Sequence, residues 1–212
     1  MSGRRSPWSG AVALGATVVV GAWLVQDGTH GTLPPAPSPA QALADGAIHP
    51  AALSGTPMAR SVPVRISIPA IGLNAPVTGV GLDGASHLAT PPDHERNLAG
   101  WYQDGVTPGQ RGTALLVGHV DTAAGPAVFY GLGALRRGER IDVVRADGGT
   151  AWFVVDAIDV YDKSAFPDHR VYGRAPDAQL RLITCGGGFS KGRGYQGNVV
   201  VYAHLTGHRG VA

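Results

Sequence analysis

Arg140-Ile141-Asp142-Val143-Val144-Arg145, the turn Asp147-Gly148-Gly149, and Ala151-Trp152-Phe153-Val154-Val155-Asp156-Ala157-Ile158-Asp159-Val160 read together as a β-hairpin. β-Branched and aromatic residues fill both arms, and Asp-Gly-Gly supplies the backbone that a tight reversal needs. Working outward, Val62–Ile68 alternates in strand fashion, Pro76–Leu82 reads as a strand ending at Asp83-Gly84, and Gly112–Val120 is a buried-type strand. Gln179–Cys185 and Asn198–Leu205 add two more on the C-terminal side. The stretch from Leu88 to Gln103 is irregular, with room for a short helix over Asp93–Leu98, and Pro126–Leu135 and Ser164–Gly173 have room for single helical turns. Seven or eight short strands with turn punctuation predict an all-β, closed or nearly closed barrel. The composition agrees: 32 Gly and 16 Pro suit turns rather than a helical bundle.

A chain of 212 residues holds one domain plus appendages, or two small domains. A formal charge of +2 without a lysine or arginine stripe excludes nucleic acid as an expected partner. A single cysteine excludes an intrachain disulfide, and without CxxC or HExxH spacing no metal or other cofactor is expected. Residues 1–25 carry Arg4 and Arg5 ahead of an uncharged run, Trp8–Val25, which is long enough to span a bilayer. The arginines point the N-terminus to the cytoplasm. This predicts a single-pass signal-anchor in the cell membrane with the remaining chain outside. A cleaved signal peptide with Ala11–Val25 as its apolar core and Ala36–Ala40 as a weak cleavage site is the alternative. Residues 26–60 are rich in Pro, Ala, Gly and Ser and predict a flexible tether. The folded domain is expected over 61–206, with a frayed tail over 207–212.

The chemistry centres on Leu180-Arg181-Leu182-Ile183-Thr184-Cys185-Gly186-Gly187-Gly188. A cysteine in mid-strand is ordinarily a small buried hydrophobe, whereas one at a strand end beside glycine can meet a substrate. A thiol acts as thiolate and needs a proton partner. Of eight histidines, His119 stands apart, because it ends an apolar strand behind Gly118 and ahead of Val120-Asp121. Acyl transfer also needs a donor for the developing oxyanion. Arg181 shares a strand face with Cys185 but sits about 13 Å away at strand rise. Arg193 lies in the following loop, where it either folds back over the thiol or stays a solvated charge. Asp121 is read either as an orienting group for His119 or as a turn carboxylate, and Thr184 as a backbone contact for substrate.

Leu182-Ile183-Thr184-Cys185, followed by Gln196-Gly197-Asn198 and a Val-Val-Val-Tyr-Ala strand, resembles the sortases, as does Gly118-His119-Val120-Asp121. The Gly-Gly after cysteine and the His-Val-Asp form are similar to the class E/F group of actinobacteria. The resemblance implies a sortase-like eight-stranded β-barrel with Cys185 as nucleophile and His119 as acid/base. It also implies a membrane-anchored transpeptidase of Gram-positive bacteria that cuts a Leu-Pro-x-Thr-Gly sorting signal after Thr. The acyl group would pass to an amine acceptor such as a peptidoglycan precursor, and the partners would be secreted proteins with C-terminal sorting signals. The family arginine follows the cysteine by thirteen residues in several members, but this chain has Asn198 there and Arg193 eight residues after Cys185. The oxyanion role is therefore assigned to Arg193, with Asn198 kept as a second donor; Asn198, Thr184 and Asp121 are expected to contact substrate. Two other readings compete. An L,D-transpeptidase-like enzyme would keep His and Cys close in sequence, which this chain does not. A sortase-fold module with weak or no catalysis, acting as a cell-surface binding protein, draws its support from Asn198.

Overall fold

The hairpin predicted from residues 140–160 forms and becomes one seam of a barrel. In the computed structural model, which describes residues 33–43, 54–84 and 87–210, ten strands follow in chain order. They are β1 (Pro63–Ile68), β2 (Leu73–Val80), β3 (Ala99–Tyr102), β4 (Gly112–Val117), β5 (Asp121–Thr122), β6 (Gly125–Pro126), β7 (Arg140–Arg145), β8 (Thr150–Asp162), β9 (Ala178–Ser190) and β10 (Gly194–Arg209). Eight of them close in the order β1-β2-β3-β4-β9-β10-β8-β7, with β7 pairing back onto β1, and β5 and β6 form a separate two-stranded ribbon. Closure leaves these strands without a free edge. The turn between β7 and β8 uses Gly148 at φ 79°, a conformation that a side chain resists, and Asp147 braces it by accepting from the Gly149 amide at 2.9 Å.

Alternation along the strands builds two cores. Ile66, Leu116, Ile141, Phe153, Leu180 and Leu182 point into the barrel and pack together, each essentially inaccessible. On the outside, Ile183, Val200, Tyr202 and Ala157 form a second cluster, covered by Val171 of the short helix Asp168–Tyr172 and by Phe166. Because side chains alternate across a strand, Arg181, Ile183 and Cys185 share the outer face of β9. The thiol thus lies on the barrel wall, next to the helix-bearing connection between β8 and β9.

Several elements differ from expectation. β9 does not stop at Cys185; it runs on through Gly186–Gly188 to Ser190, paired with β10 across a register shift between Tyr195 and Gly197. Glycine lacks the side chain that would crowd such an irregular pairing. β10 also outruns the predicted strand: Gly207, His208 and Arg209 pair with Trp152, Ala151 and Thr150, where a frayed tail was expected. Residues 93–98 form turns rather than a helix. The apolar anchor expected over residues 1–25 lies outside the described residues. Two pieces of the expected tether make defined contacts. Gly55 N–H bonds Leu205 O at 2.6 Å, Met58 N–H bonds Gly109 O at 2.8 Å, and the buried Arg145 guanidinium donates to Ala59 O. Pro34–Leu43 belongs to the same compact unit as the barrel.

The pairing of Gly207–Arg209 with β8 predicts that truncation after Thr206 lowers the melting temperature by several degrees, the effect of losing a few net backbone hydrogen bonds. A thermal scan of the truncated chain with an unchanged midpoint would show that the extension contributes nothing.

Candidate active site

Strand register puts the central residues together. Asn198 is the direct cross-strand partner of Cys185 in the β9–β10 pair, so both side chains project from the same outer face. β4 runs parallel to β9, with Val117 opposite Ile183, and its extension carries Gly118 and His119 alongside Thr184 and Cys185. Two bonds weld this junction. Gly118 N–H donates to Ile183 O at 3.2 Å, and the buried Thr184 hydroxyl donates to Gly118 O at 2.7 Å. Gly118 itself has no room for a side chain, since a Cβ there would stand 2.6 Å from Val128 and 2.8 Å from Phe129. That close approach lets His119 O accept from Phe129 N–H at 3.0 Å and holds the histidine backbone.

Cys185, His119 and Asn198 line one cavity of about 700 Å³, walled by Ile183, Phe166 and the helix residue Tyr172. Cys185 is a free, half-buried thiol. His119 Nε2 lies 2.6 Å from Pro91 O and 3.1 Å from Asp93 Oδ1, with the imidazole largely covered and Asp93 86% exposed. The carbonyl can only accept, so Nε2 carries a proton and a neutral ring has Nδ1 free as base. Asp93, in water, adds little to the energy of this pair. Asn198 is half-buried, and no described side chain bonds its amide, so its two N–H donors are available in the cavity.

The other predicted residues stand elsewhere. Arg193 occupies the tip of the β9–β10 turn, exposed, its amide donating to Ser190 O at 3.1 Å. Ser190, paired with Gly194, is five residues beyond Cys185, about 16 Å at strand rise. The structure does not bring Arg193 to the cavity, because the loop expected to fold back is instead a tight turn at the end of a long hairpin. Asp121 does not face His119; it accepts a hydrogen bond from the Tyr195 hydroxyl. Burial, that bond, and the proximity of Tyr130 and Cys185 push the Tyr195 phenol well above its ordinary range. Thr184 points to Gly118 and acts on the site through the backbone. Arg181 is fully buried, stacked on the Tyr202 ring at 4.6 Å and donating to Gln179 Oε1 at 2.6 Å, with its pKa pulled down to about 10 by burial. Reading the sequence missed Pro91, Asp93, Tyr195 and the wall residue Phe166. Pro91 sits 28 residues before its histidine, and nothing in local spacing marks it. No cluster of His, Cys, Asp or Glu suited to a metal occurs among the described residues.

This arrangement suits acyl transfer through a thioester: a thiol, a histidine with a defined tautomer, and a neutral amide donor beside the thiol. Comparisons with known proteins agree. The Sortase domain family model matches residues 66–206. Among solved structures, sortase A of Listeria monocytogenes superposes with a TM-score of 0.52 at 20% identity, covering 72% of this chain and 92% of its own. Sortase A of Corynebacterium diphtheriae gives a TM-score of 0.50 at 25% identity over 69% of this chain and 61% of its own. A sortase E variant from Streptomyces avermitilis gives 0.51 at 21% identity over 72% and 93%. Among curated proteins, no match was found.

Two measurements check the site. Thr184→Val leaves the buried Gly118 carbonyl without its donor and should cost about 1–3 kcal/mol in chemical denaturation; a smaller loss would mean the bond does not weld β9 to the histidine. Tyr161, Tyr195 and Tyr202 all have phenol pKa values raised by burial above the ordinary value of 10.0. Protonated phenols in the native state face unfolded phenols that ionise near 10, so stability is full below that pH and falls as pH rises past it. Stability that stays flat from pH 9 to about 11 would contradict this burial.

Proposed function

The chain belongs to the sortase family of cysteine transpeptidases, and from that premise we propose that it cleaves a Leu-Pro-x-Thr-Gly-type sorting signal after Thr and transfers the acyl group to an amine. The observation that carries the proposal is the single cavity shared by Cys185, His119 and Asn198. The peptide lies along the space between β4, β9 and the helix Asp168–Tyr172. The Cys185 thiolate attacks the Thr carbonyl, forming a C–S bond as the carbonyl oxygen gains charge. Asn198 donates an amide N–H to that oxyanion in place of an arginine, a neutral donor doing what preorganised dipoles do in water-poor sites. Protonated His119 gives its Nδ1 proton to the leaving Gly nitrogen as the C–N bond breaks. An incoming amine, deprotonated by His119, attacks the thioester; a new C–N bond forms and the Cys185 thiolate leaves. Pro91 O keeps the ring in one orientation through both half-reactions.

The rest of the assignment follows from the same reading. Residues 1–25 anchor the enzyme in the cytoplasmic membrane as a single-pass segment with the barrel outside the cell. The donor partners are secreted proteins with C-terminal sorting signals, and the acceptor is a cell-wall precursor or a protein amine. The class E/F-like motifs support a reading of the chain as an enzyme of actinobacterial type.

Incubation with a fluorescent Leu-Pro-x-Thr-Gly peptide and triglycine should yield a mass-shifted Cys185 and a ligated product, both absent in Cys185→Ala. Asn198→Ala should lower kcat about 10²-fold, the effect of removing one oxyanion donor, while Arg193→Ala stays within about twofold of the parent. Failure to acylate with any sorting peptide would sink the proposal. The reverse pattern at Asn198 and Arg193 would return the donor role to the arginine.

A further inference from the structure

The short helix Asp168–Tyr172 serves two spaces. Asp168 and Tyr172 wall the cysteine cavity, whereas His169 and Arg170 line a second cavity of about 420 Å³. Arg181 and Gln179 line this second space from β9, and Arg174 and Pro176 line it from the loop that leads back to that strand. Three arginines and a histidine thus share one space that no carboxylate lines. We propose that this cavity is a phosphate-binding site, taking a phosphoryl group either as the free ion or as part of a larger molecule.

Arg181 carries the proposal. It is 1% exposed, yet among the described residues neither it nor Arg170 nor Arg174 forms an ion pair. Its guanidinium donates to two neutral acceptors, Leu180 O at 3.1 Å and Gln179 Oε1 at 2.6 Å, and its buried Nε has no hydrogen-bond partner. A cation taken out of water without an opposite charge is costly to hold, and the Tyr202 ring under it at 4.6 Å offsets that only in part. The carboxylates that face this group from β8 are engaged elsewhere. Asp156 pairs with His204 Nδ1 at 2.6 Å, and Asp159 accepts from the Tyr161 hydroxyl at 3.1 Å. An anion in the cavity supplies the missing charge.

The backbone holds the rim in place over that floor. Gly173 N–H closes the helix on His169 O at 3.1 Å, and a Cβ on Gly173 would stand 2.2 Å from that oxygen. The Thr113 hydroxyl donates to Gly173 O at 2.7 Å and the Arg111 guanidinium to Pro176 O at 3.1 Å, so β4 and the loop before it tie down the segment that carries Arg174. Arg170 hydrogen-bonds Tyr161 and, with five N–H donors, has others to spare. Guanidinium groups therefore converge from a strand, a helix and a loop. Donors from three directions suit a tetrahedral phosphoryl group better than a planar carboxylate, which one arginine fork satisfies. Arg181 and Cys185 share the outer face of β9 about 13 Å apart at strand rise, so a phosphate-bearing molecule held here stands beside the cysteine cavity. The inference draws on none of the steps proposed for the thiol.

The test is calorimetric titration of the full-length chain with inorganic phosphate, at fixed ionic strength because exposed rim charges are screened by salt. The parent should bind, and Arg170→Gln and Arg174→Gln should each weaken binding about tenfold, the effect of losing one charge-assisted hydrogen bond. Arg181→Met should abolish binding. Because that change reaches into the wall, the two rim variants, with melting temperatures matched to the parent, keep the test decisive if it does not fold. No heat from phosphate in the parent, or equal affinity in both rim variants, overturns the site. Acetate binding as tightly as phosphate overturns the phosphoryl assignment. Titration with glycerophosphoglycerol, a soluble phosphodiester headgroup, distinguishes the sources: tighter binding than phosphate assigns the site to a lipid- or polymer-borne group, and weaker binding assigns it to the free ion.

Discussion

The antiparallel pairing of β9 with β10 is the constraint on which the rest of the structure depends. It sets Asn198 opposite Cys185 and Tyr202 opposite Arg181, and it separates residues that face the core from residues that face the cavity. A slip of one residue would turn Cys185 into the barrel and Thr184 out of it. The long strands make that slip costly: β10 is paired on both sides, with β8 and with β9, from Gly197 to His204. The Cys185 thiol is therefore held by the ladder of ten residue pairs between β9 and β10 rather than by its own side-chain contacts.

The parallel pair β4–β9 does the complementary work. It carries His119 to the level of Cys185, and the Thr184–Gly118 hydrogen bond locks the two strand ends where regular pairing runs out. Parallel neighbours need a long crossover, and the one here contains the β7–β8 hairpin and the helix Asp168–Tyr172. That same crossover supplies Phe166 and Tyr172, which wall the cavity. The barrel's topology and the shape of the cavity thus have one origin.

Charge is distributed in an unusual way around this thiol. The buried cation nearest in the strand, Arg181, is committed to Tyr202 and Gln179, and the loop cation Arg193 is in water. The cavity is left with a neutral amide beside the cysteine and an imidazole whose Nε2 is engaged by a backbone carbonyl. Neutral donors work as oxyanion stabilisers when they are fixed and dry, because nothing must reorient as charge develops.

Local sequence carried the strands, the Asp-Gly-Gly turn, the barrel class, and two of the residues that line one cavity, Cys185 and His119, because alternation and turn chemistry are written in neighbouring residues. Strand lengths were legible less well. Gly186–Gly188 and Gly207 read as breaks, yet they lie inside ladders whose partners sit 45 or more residues away on β8 or across the hairpin on β10. What only the tertiary structure decided is which cation, if any, reaches the thiol, and what borders it. Arg193 is eight residues from Cys185 in sequence but remote in space, because a hairpin spends its residues on moving outward along the strands. Pro91 and Tyr195 reach the site through loop paths and register, distances that no short spacing encodes.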